Sequence, residues 1–194
     1  MENYRVQVAL AGNPNTGKST VFNALTGAHQ HVGNWPGKTV EKKEGEYRYK
    51  DFDVQVIDLP GTYSLSYYSL EEQIARDYII KNRPDVVVNV IDCSNLERNL
   101  YLTVQILETK TPVILFLNME DQAHLLGYEI DHEALSQRLH GITVIPGTAC
   151  KNIGIEALKD AILEFAQQNG GPEEPTLLPS DYERVLHGSL SSGQ

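Results

Sequence analysis

Short apolar runs alternate along this chain with stretches in which apolar residues recur every three or four positions. Val6-Gln7-Val8-Ala9-Leu10 reads as a strand, and residues 18–26 read as the helix that follows. Residues 40–49 and 54–57 read as two strands of a hairpin, with Lys50-Asp51-Phe52-Asp53 as its turn. Ser69 is a capping residue for a helix that opens with Glu71 and Glu72 and carries Ile74 and Ala75. Val86-Val87-Val88-Asn89-Val90-Ile91 is almost continuously apolar, as a strand covered on both faces must be. Leu96, Leu100, Val104 and Leu107 fall at helical spacing, and 113–117 form the next buried strand. A helix over 131–139, a short strand over 143–145 and a last amphipathic helix through Ile155, Leu158, Ile162 and Phe165 complete the pattern.

Strands that alternate with crossover helices predict an α/β fold: a mostly parallel six-stranded sheet, one antiparallel edge strand from the hairpin, and helices on both faces. The periodicity fills residues 1–168, one domain. Asn169-Gly170-Gly171-Pro172-Glu173-Glu174-Pro175 then has no core-forming pattern and reads as a linker, and 176–194 are too few to form a domain alone.

Composition narrows the function classes. The formal charge of −10 argues against a nucleic-acid partner, which calls for a basic face. No apolar run approaches the roughly 20 residues of a membrane helix, so the fragment is expected to be soluble. Cys93 and Cys150 lie far apart, which suits a reducing compartment better than a disulfide scaffold. The spacing His29-x-His31 invites a metal reading, but loop histidines are usually solvated and no dense ligand group accompanies them.

Five segments carry chemistry. Gly12-Asn13-Pro14-Asn15-Thr16-Gly17-Lys18-Ser19 fits G-x-x-x-x-G-K-[ST] between a strand and a helix that continues through Thr20. Such a loop turns backbone N–H groups and a helix N-terminus toward phosphate oxygens. Lys18 would reach the β- and γ-phosphates, and Ser19 would ligate Mg²⁺. Asp58-Leu59-Pro60-Gly61 ends the next strand; Asp58 would hold Mg²⁺ through water and the Gly61 N–H would meet a γ-phosphate. Asn118-Met119-Glu120-Asp121 closes the strand at 113–117. An Asp121 carboxylate can accept from N1–H and the 2-amino group of guanine, a pair adenine does not offer, while Asn118 ties its loop to the phosphate loop. In Thr148-Ala149-Cys150, the Ala149 N–H would meet guanine O6. The segment from His31 to Thr39 holds Gly33, Asn34, Trp35, Pro36, Gly37 and Lys38, a density of loop formers that predicts no regular element. Thr39 stands where a switch threonine would ligate Mg²⁺.

The order and spacing are those of the GTPase superfamily with the P-loop, Ras-like fold. In detail the chain resembles the N-terminal cytosolic G domain of the ferrous iron transport protein B family. The resemblance rests on Gly12-Asn13-Pro14-Asn15, on Val32-Gly33-Asn34-Trp35-Pro36-Gly37, on Asp58-Leu59-Pro60-Gly61-Thr62-Tyr63-Ser64, on Asn95-Leu96-Glu97-Arg98-Asn99-Leu100-Tyr101-Leu102, and on the Asn-Met-x-Asp form of 118–121. It covers about 5–168. It implies a GTP/GDP switch on the cytoplasmic side of a bacterial cell membrane, joined through a helical domain starting near 170 to a membrane domain that passes Fe²⁺. That helical domain is essentially missing, so the chain reads as a fragment, with weak self-association as its one further expected contact.

Thr62 occupies the position after Gly61 where many small GTPases carry a water-orienting Gln, which predicts slow hydrolysis in isolation. In related potassium-activated GTPases an Asn at the position of Asn15 helps hold K⁺, and carbonyls here from Gly33 to Trp35 would complete that site. The resemblance therefore implies Asn15, Lys18, Thr39 and Gly61 as the catalytic set, with Mg²⁺ and K⁺ as cofactors. Two other functions compete: an RNA-associated GTPase, which the charge opposes, and a nucleotide-sensing adaptor that barely hydrolyses.

Overall fold

The structure is a computed structural model that describes residues 5–168; the linker and following segment expected at 169–194 lie outside the described residues. Strands β1 (Arg5–Gly12), β2 (Gln30–Asn34), β3 (Glu41–Tyr49), β4 (Phe52–Asp58), β5 (Val86–Asp92), β6 (Val113–Asn118) and β7 (Thr143–Pro146) form one sheet in the order β2-β3-β4-β1-β5-β6-β7. β4, β1, β5, β6 and β7 run parallel. β2 and β3 are antiparallel additions at one edge. The helices are α1 (Lys18–Thr26), α2 (Leu70–Asp77), α3 (Leu96–Glu108), α4 (Glu120–Leu125), α5 (His132–Arg138) and α6 (Ile155–Gln168). Among the described residues no helix is long and apolar enough to cross a membrane.

The expected α/β architecture is present, with a seventh strand in place of six. β2 lies in the segment whose Gly, Pro and Asn content predicts no regular element. Each of its five residues is exposed, so it has no apolar alternation to read. It exists through its backbone pairing with β3, which an edge strand needs on one side only. The β3–β4 turn is also tighter than the four residues expected. Phe52 already pairs with Tyr49, and Lys50 takes a left-handed conformation at φ 54°.

β5 lies at the centre. Val86, Val88 and Val90 face α1 and α6 with Val8, Leu10, Phe22, Leu158 and Ile162, while Val87 joins Ala9, Leu59, Ile74, Leu102 and Ile106 on the other face. A third apolar cluster of Ile91, Leu115, Leu117, Ala123 and Leu139 lies under α4 and α5. α3 is helical as expected, and Leu96, Leu100 and Leu107 pack against the core, but its deepest face is centred elsewhere. Its buried residues are Asn99, Leu102, Thr103 and Ile106, and Val104 is 45% exposed. The two polar members are satisfied: Asn89 Nδ2 donates to Thr103 Oγ1 at 2.7 Å, and Asn99 Nδ2 donates to the Asn95 carbonyl at 2.8 Å.

α2 begins where its sequence signals place it. The Ser69 hydroxyl accepts from the Glu72 N–H, and the Glu72 carboxylate accepts from the Ser69 N–H, a reciprocal cap. Glu72 also accepts from the hydroxyls of Ser64 and Ser66, which fastens the loop after Gly61 onto α2.

α1 hangs from the sheet by Val21, Phe22 and Leu25, and the loop before it is positioned by that packing. Phe22→Ala is expected to lower unfolding free energy by about 3–5 kcal/mol, the cost of an aromatic-sized cavity. Urea unfolding followed by circular dichroism checks this.

Candidate nucleotide site

The predicted residues come together at the carboxyl ends of the parallel strands, where open α/β sheets place their ligands. β1 ends at Gly12 and the chain turns through Asn13, Pro14, Asn15 and Thr16 into α1. Asn15 adopts φ 67°, and Gly17 adopts φ 80° at the head of the helix. A side chain on Gly17 would collide with Asn118 Nδ2 as well as strain the backbone. No side chain caps α1, so the N–H groups of its first turn are left for an external acceptor. Ser19 and Thr20 are exposed in that turn. The Thr16 hydroxyl donates to the Asn13 carbonyl at 3.0 Å and stiffens the loop. Asn13 is 3% exposed, and neither amide atom of its side chain has a partner. An orphaned buried amide in a phosphate-loop sequence fits a loop shaped for a ligand.

β4 delivers Asp58 to the same place. The Lys18 ammonium pairs with the Asp58 carboxylate, both largely buried. Leu59 N–H donates to the Leu10 carbonyl at 3.0 Å and Thr62 N–H to the Gly12 carbonyl at 3.2 Å. These two bonds lay the Leu59–Pro60–Gly61 backbone along the phosphate loop. Gly61 lies against the phosphate loop, where a Cβ would make van der Waals contact with Pro14. Thr62 is buried, and its hydroxyl donates to the Ser64 carbonyl at 2.8 Å. It is therefore committed to the loop.

β6 delivers the third segment. Asn118 is 3% exposed; its Nδ2 donates to the Thr16 carbonyl and its Oδ1 accepts from the Ala149 N–H, both at 2.9 Å. The expected tie from Asn118 to the phosphate loop is thus present. The Ala149 N–H, expected to be open to a base oxygen, is instead taken by Asn118. Thr148 is buried and Cys150 exposed on either side of it. Met119 turns the chain in a left-handed conformation, φ 60°, and Asp121 follows in the first turn of α4. Sequence reasoning missed one neighbour: Lys151 Nζ lies 2.7 Å from Asp121 Oδ2. That hydrogen bond is the main reason the Asp121 carboxyl is held below the usual carboxylate range. Only its position one residue after Cys150 could have suggested it.

The switch segment lies apart from this assembly. Gly33 pairs with Lys42 along β2, an edge strand separated from β1 by β3 and β4. The Trp35 carbonyl accepts from the Lys38 N–H at 2.9 Å, and the Trp35 N–H donates to Val40. The carbonyls of Gly33 and Trp35 are therefore not assembled around Asn15, because β-pairing and a tight turn hold that backbone. Trp35 itself is core: its ring meets Tyr78 edge-on at 5.6 Å, and the Lys42 ammonium sits 5.6 Å from it. Pro36 and Gly37 form the turn, Lys38 closes it, and Thr39 follows, exposed.

Oxygen ligands suit Mg²⁺. The Ser19 hydroxyl and the Asp58 carboxylate flank Lys18 in this structure and fit such an ion, whereas Thr39 would have to come in with its loop.

A family model described as ferrous iron transport protein B matches residues 6–162. The chain is 54% identical over 162 residues to the Fe(2+) transporter FeoB of Salmonella typhimurium, an alignment spanning 81% of this chain and 21% of that protein. It is 53% identical to that of Escherichia coli strain K12 with the same coverage. The chain thus spans about a fifth of the length of these curated relatives. Among solved structures, the T. maritima FeoB cytosolic domain in a GDP form superposes with a TM-score of 0.82 at 49% identity, covering 86% of this chain and 65% of that one. The FeoB G domain from Methanococcus jannaschii gives 0.74 at 48% identity, covering 84% and 98%. The P-loop G-domain fold is common to all of these, and the family model runs from β1 into α6. The chain belongs to the ferrous iron transport protein B family.

Proposed function

We propose that this chain is a guanine-nucleotide switch that binds GTP, hydrolyses it slowly to GDP and phosphate, and governs Fe²⁺ passage through a membrane domain of its parent protein. It would work on the cytosolic face of a bacterial cell membrane. The observation that carries the reading is the convergence of Lys18, Asp58 and Asn118 on one phosphate loop. The relatives support the rest: the matched curated proteins are Fe(2+) transporters, and the T. maritima structure is of a cytosolic domain in a GDP form.

In this reading the N–H groups from Asn13 to Thr20 surround the phosphates. Lys18 exchanges its Asp58 partner for β- and γ-phosphate oxygens, which frees Asp58 to join Ser19, and Thr39 once its loop closes, in holding Mg²⁺. Bound Mg²⁺ supplies charge neutralisation across the β- and γ-phosphates. The Gly61 N–H donates to the γ-phosphate; Leu59 and Pro60 hold it against Pro14. Asn118, Met119 and Asp121 with Thr148, Ala149 and Cys150 form the base pocket, Asp121 accepting from N1–H and the 2-amino group. With Ala149 N–H engaged by Asn118, a contact to guanine O6 requires that bond to be shared. Asn15, with the carbonyls of Gly33 and Trp35 brought over it, would hold K⁺. This requires the end of β2 and the turn through Pro36 and Gly37 to let go of β3.

A second reading, an adaptor that binds nucleotide but scarcely turns it over, is favoured by one observation: the Thr62 hydroxyl donates its one proton to the Ser64 carbonyl and has no donor left for a water. Turnover decides between them. Phosphate release with Mg²⁺ is expected for GTP and not for ATP, and Lys18→Ala is expected to abolish it through loss of the charge facing the phosphates. Equal turnover of GTP and ATP overturns the guanine assignment, and wild-type turnover in Lys18→Ala overturns the phosphate-loop reading. Single-turnover hydrolysis is further expected to run faster in KCl than in NaCl. Asn15→Ala is expected to remove most of that gain while GDP binding persists. Equal rates in both salts would leave the adaptor reading standing.

A further inference from the structure

We propose that Lys151 is a positioning residue for guanine recognition: its ammonium clamps the Asp121 carboxylate so that the acceptor positions left on it face the base. The proposal rests on the reading of Asp121 as the guanine acceptor and deepens it.

The argument is an acceptor count. An ionised carboxylate offers about four lone-pair positions, two on each oxygen. Lys151 Nζ takes one on Oδ2 at 2.7 Å, and the Gln122 N–H takes one on Oδ1 at 3.0 Å. The Thr148 hydroxyl is a further partner of this carboxylate, so the protein side engages most of its acceptor positions, and N1–H and the 2-amino group of guanine must use those that still face the base. With both oxygens already held from the protein side, the carboxylate cannot rotate freely about its last torsion. A two-point contact with a planar base depends on that restriction.

Lys151 is well placed to impose it. It sits on a small closed loop: Thr148 and Ile153 exchange both backbone hydrogen bonds, at 3.1 and 3.2 Å, and the Lys151 N–H donates to the Thr148 carbonyl at 2.9 Å. Asn152 closes the turn in a left-handed conformation at φ 56°. The same loop carries Ala149, whose N–H is fixed by Asn118. The base-side loops are therefore joined by the buried Asn118 amide, by the Glu120 N–H donating to the Gly147 carbonyl at 3.3 Å, and at their outer side by the Lys151–Asp121 pair. Being partly exposed, the pair contributes little to folding, so its consequence is felt at the base.

The test is titration of wild type, Lys151→Gln and Lys151→Arg with fluorescent GDP and fluorescent IDP, whose base lacks the 2-amino group. Lys151→Gln is expected to weaken GDP binding roughly three- to tenfold, the loss of about one well-formed hydrogen bond. IDP, which makes one contact fewer to Asp121, is expected to lose less, so the preference for GDP over IDP shrinks. Lys151→Arg is expected to restore both, and melting temperatures are expected to stay together. A general loosening of the loop would weaken both ligands equally and would not be rescued by Arg; that pattern overturns the proposal. So does a Lys151→Gln protein that binds GDP with wild-type affinity or tighter, the result expected if the lysine competes with the base. Wild-type protein that shows no preference for GDP over ADP overturns the guanine reading itself, and this proposal falls with it.

Discussion

A single buried side-chain amide holds this site together. Asn118 stands at the end of β6 and reaches in two directions, to the Thr16 carbonyl of the phosphate loop and to the Ala149 N–H of the loop after β7. Both partners belong to buried residues, and losing the amide would strand a donor and an acceptor at a cost of about 1–3 kcal/mol each. The contact also explains why Gly17 must be glycine. The helix head passes so close to Nδ2 that a Cβ cannot be accommodated. Phosphate recognition and base recognition are thus built on separate strands but share one brace.

Around that brace the sheet sorts its segments by rigidity. β1, β4, β5 and β6 are packed on both faces and deliver Asp58, Gly12 and Asn118 to the same end of the sheet, staggered by about two residues from one to the next. β2 has only backbone pairing and exposed side chains, so the segment that the proposed switch would move is one with little to lose by detaching. Trp35 is the exception there. It anchors the end of β2 against Tyr78 while its indole N–H lies buried without an acceptor. A buried unpaired donor lowers the cost of leaving the packed position.

Much of this was legible in the sequence, because β5, β6, α1 and α6 are specified by apolar periodicity and the phosphate loop by residue type and spacing. The misses have physical causes. β2 carries no pattern, since an exposed edge strand buries nothing. In α3, Leu96, Leu100 and Leu107 pack as their spacing predicts, but its most deeply buried positions include Asn99 and Thr103, polar side chains that an apolar periodicity does not mark. α4 went unseen because Leu125 is exposed and its short helix starts from a left-handed Met119. In the site, Asn118 was identifiable from its motif, whereas Lys151 is found only when two loops 30 positions apart are seen to meet.

The central claim is that Asn118 couples the two halves of the site before any ligand arrives. Amide hydrogen exchange on the nucleotide-free protein tests it most directly, with Asn118→Ala compared against Asp121→Ala. Faster exchange at residues 13–18 and at 148–151 together in Asn118→Ala, with the phosphate loop unchanged in Asp121→Ala, is the predicted result. Wild-type protection of the phosphate loop in Asn118→Ala would contradict the account.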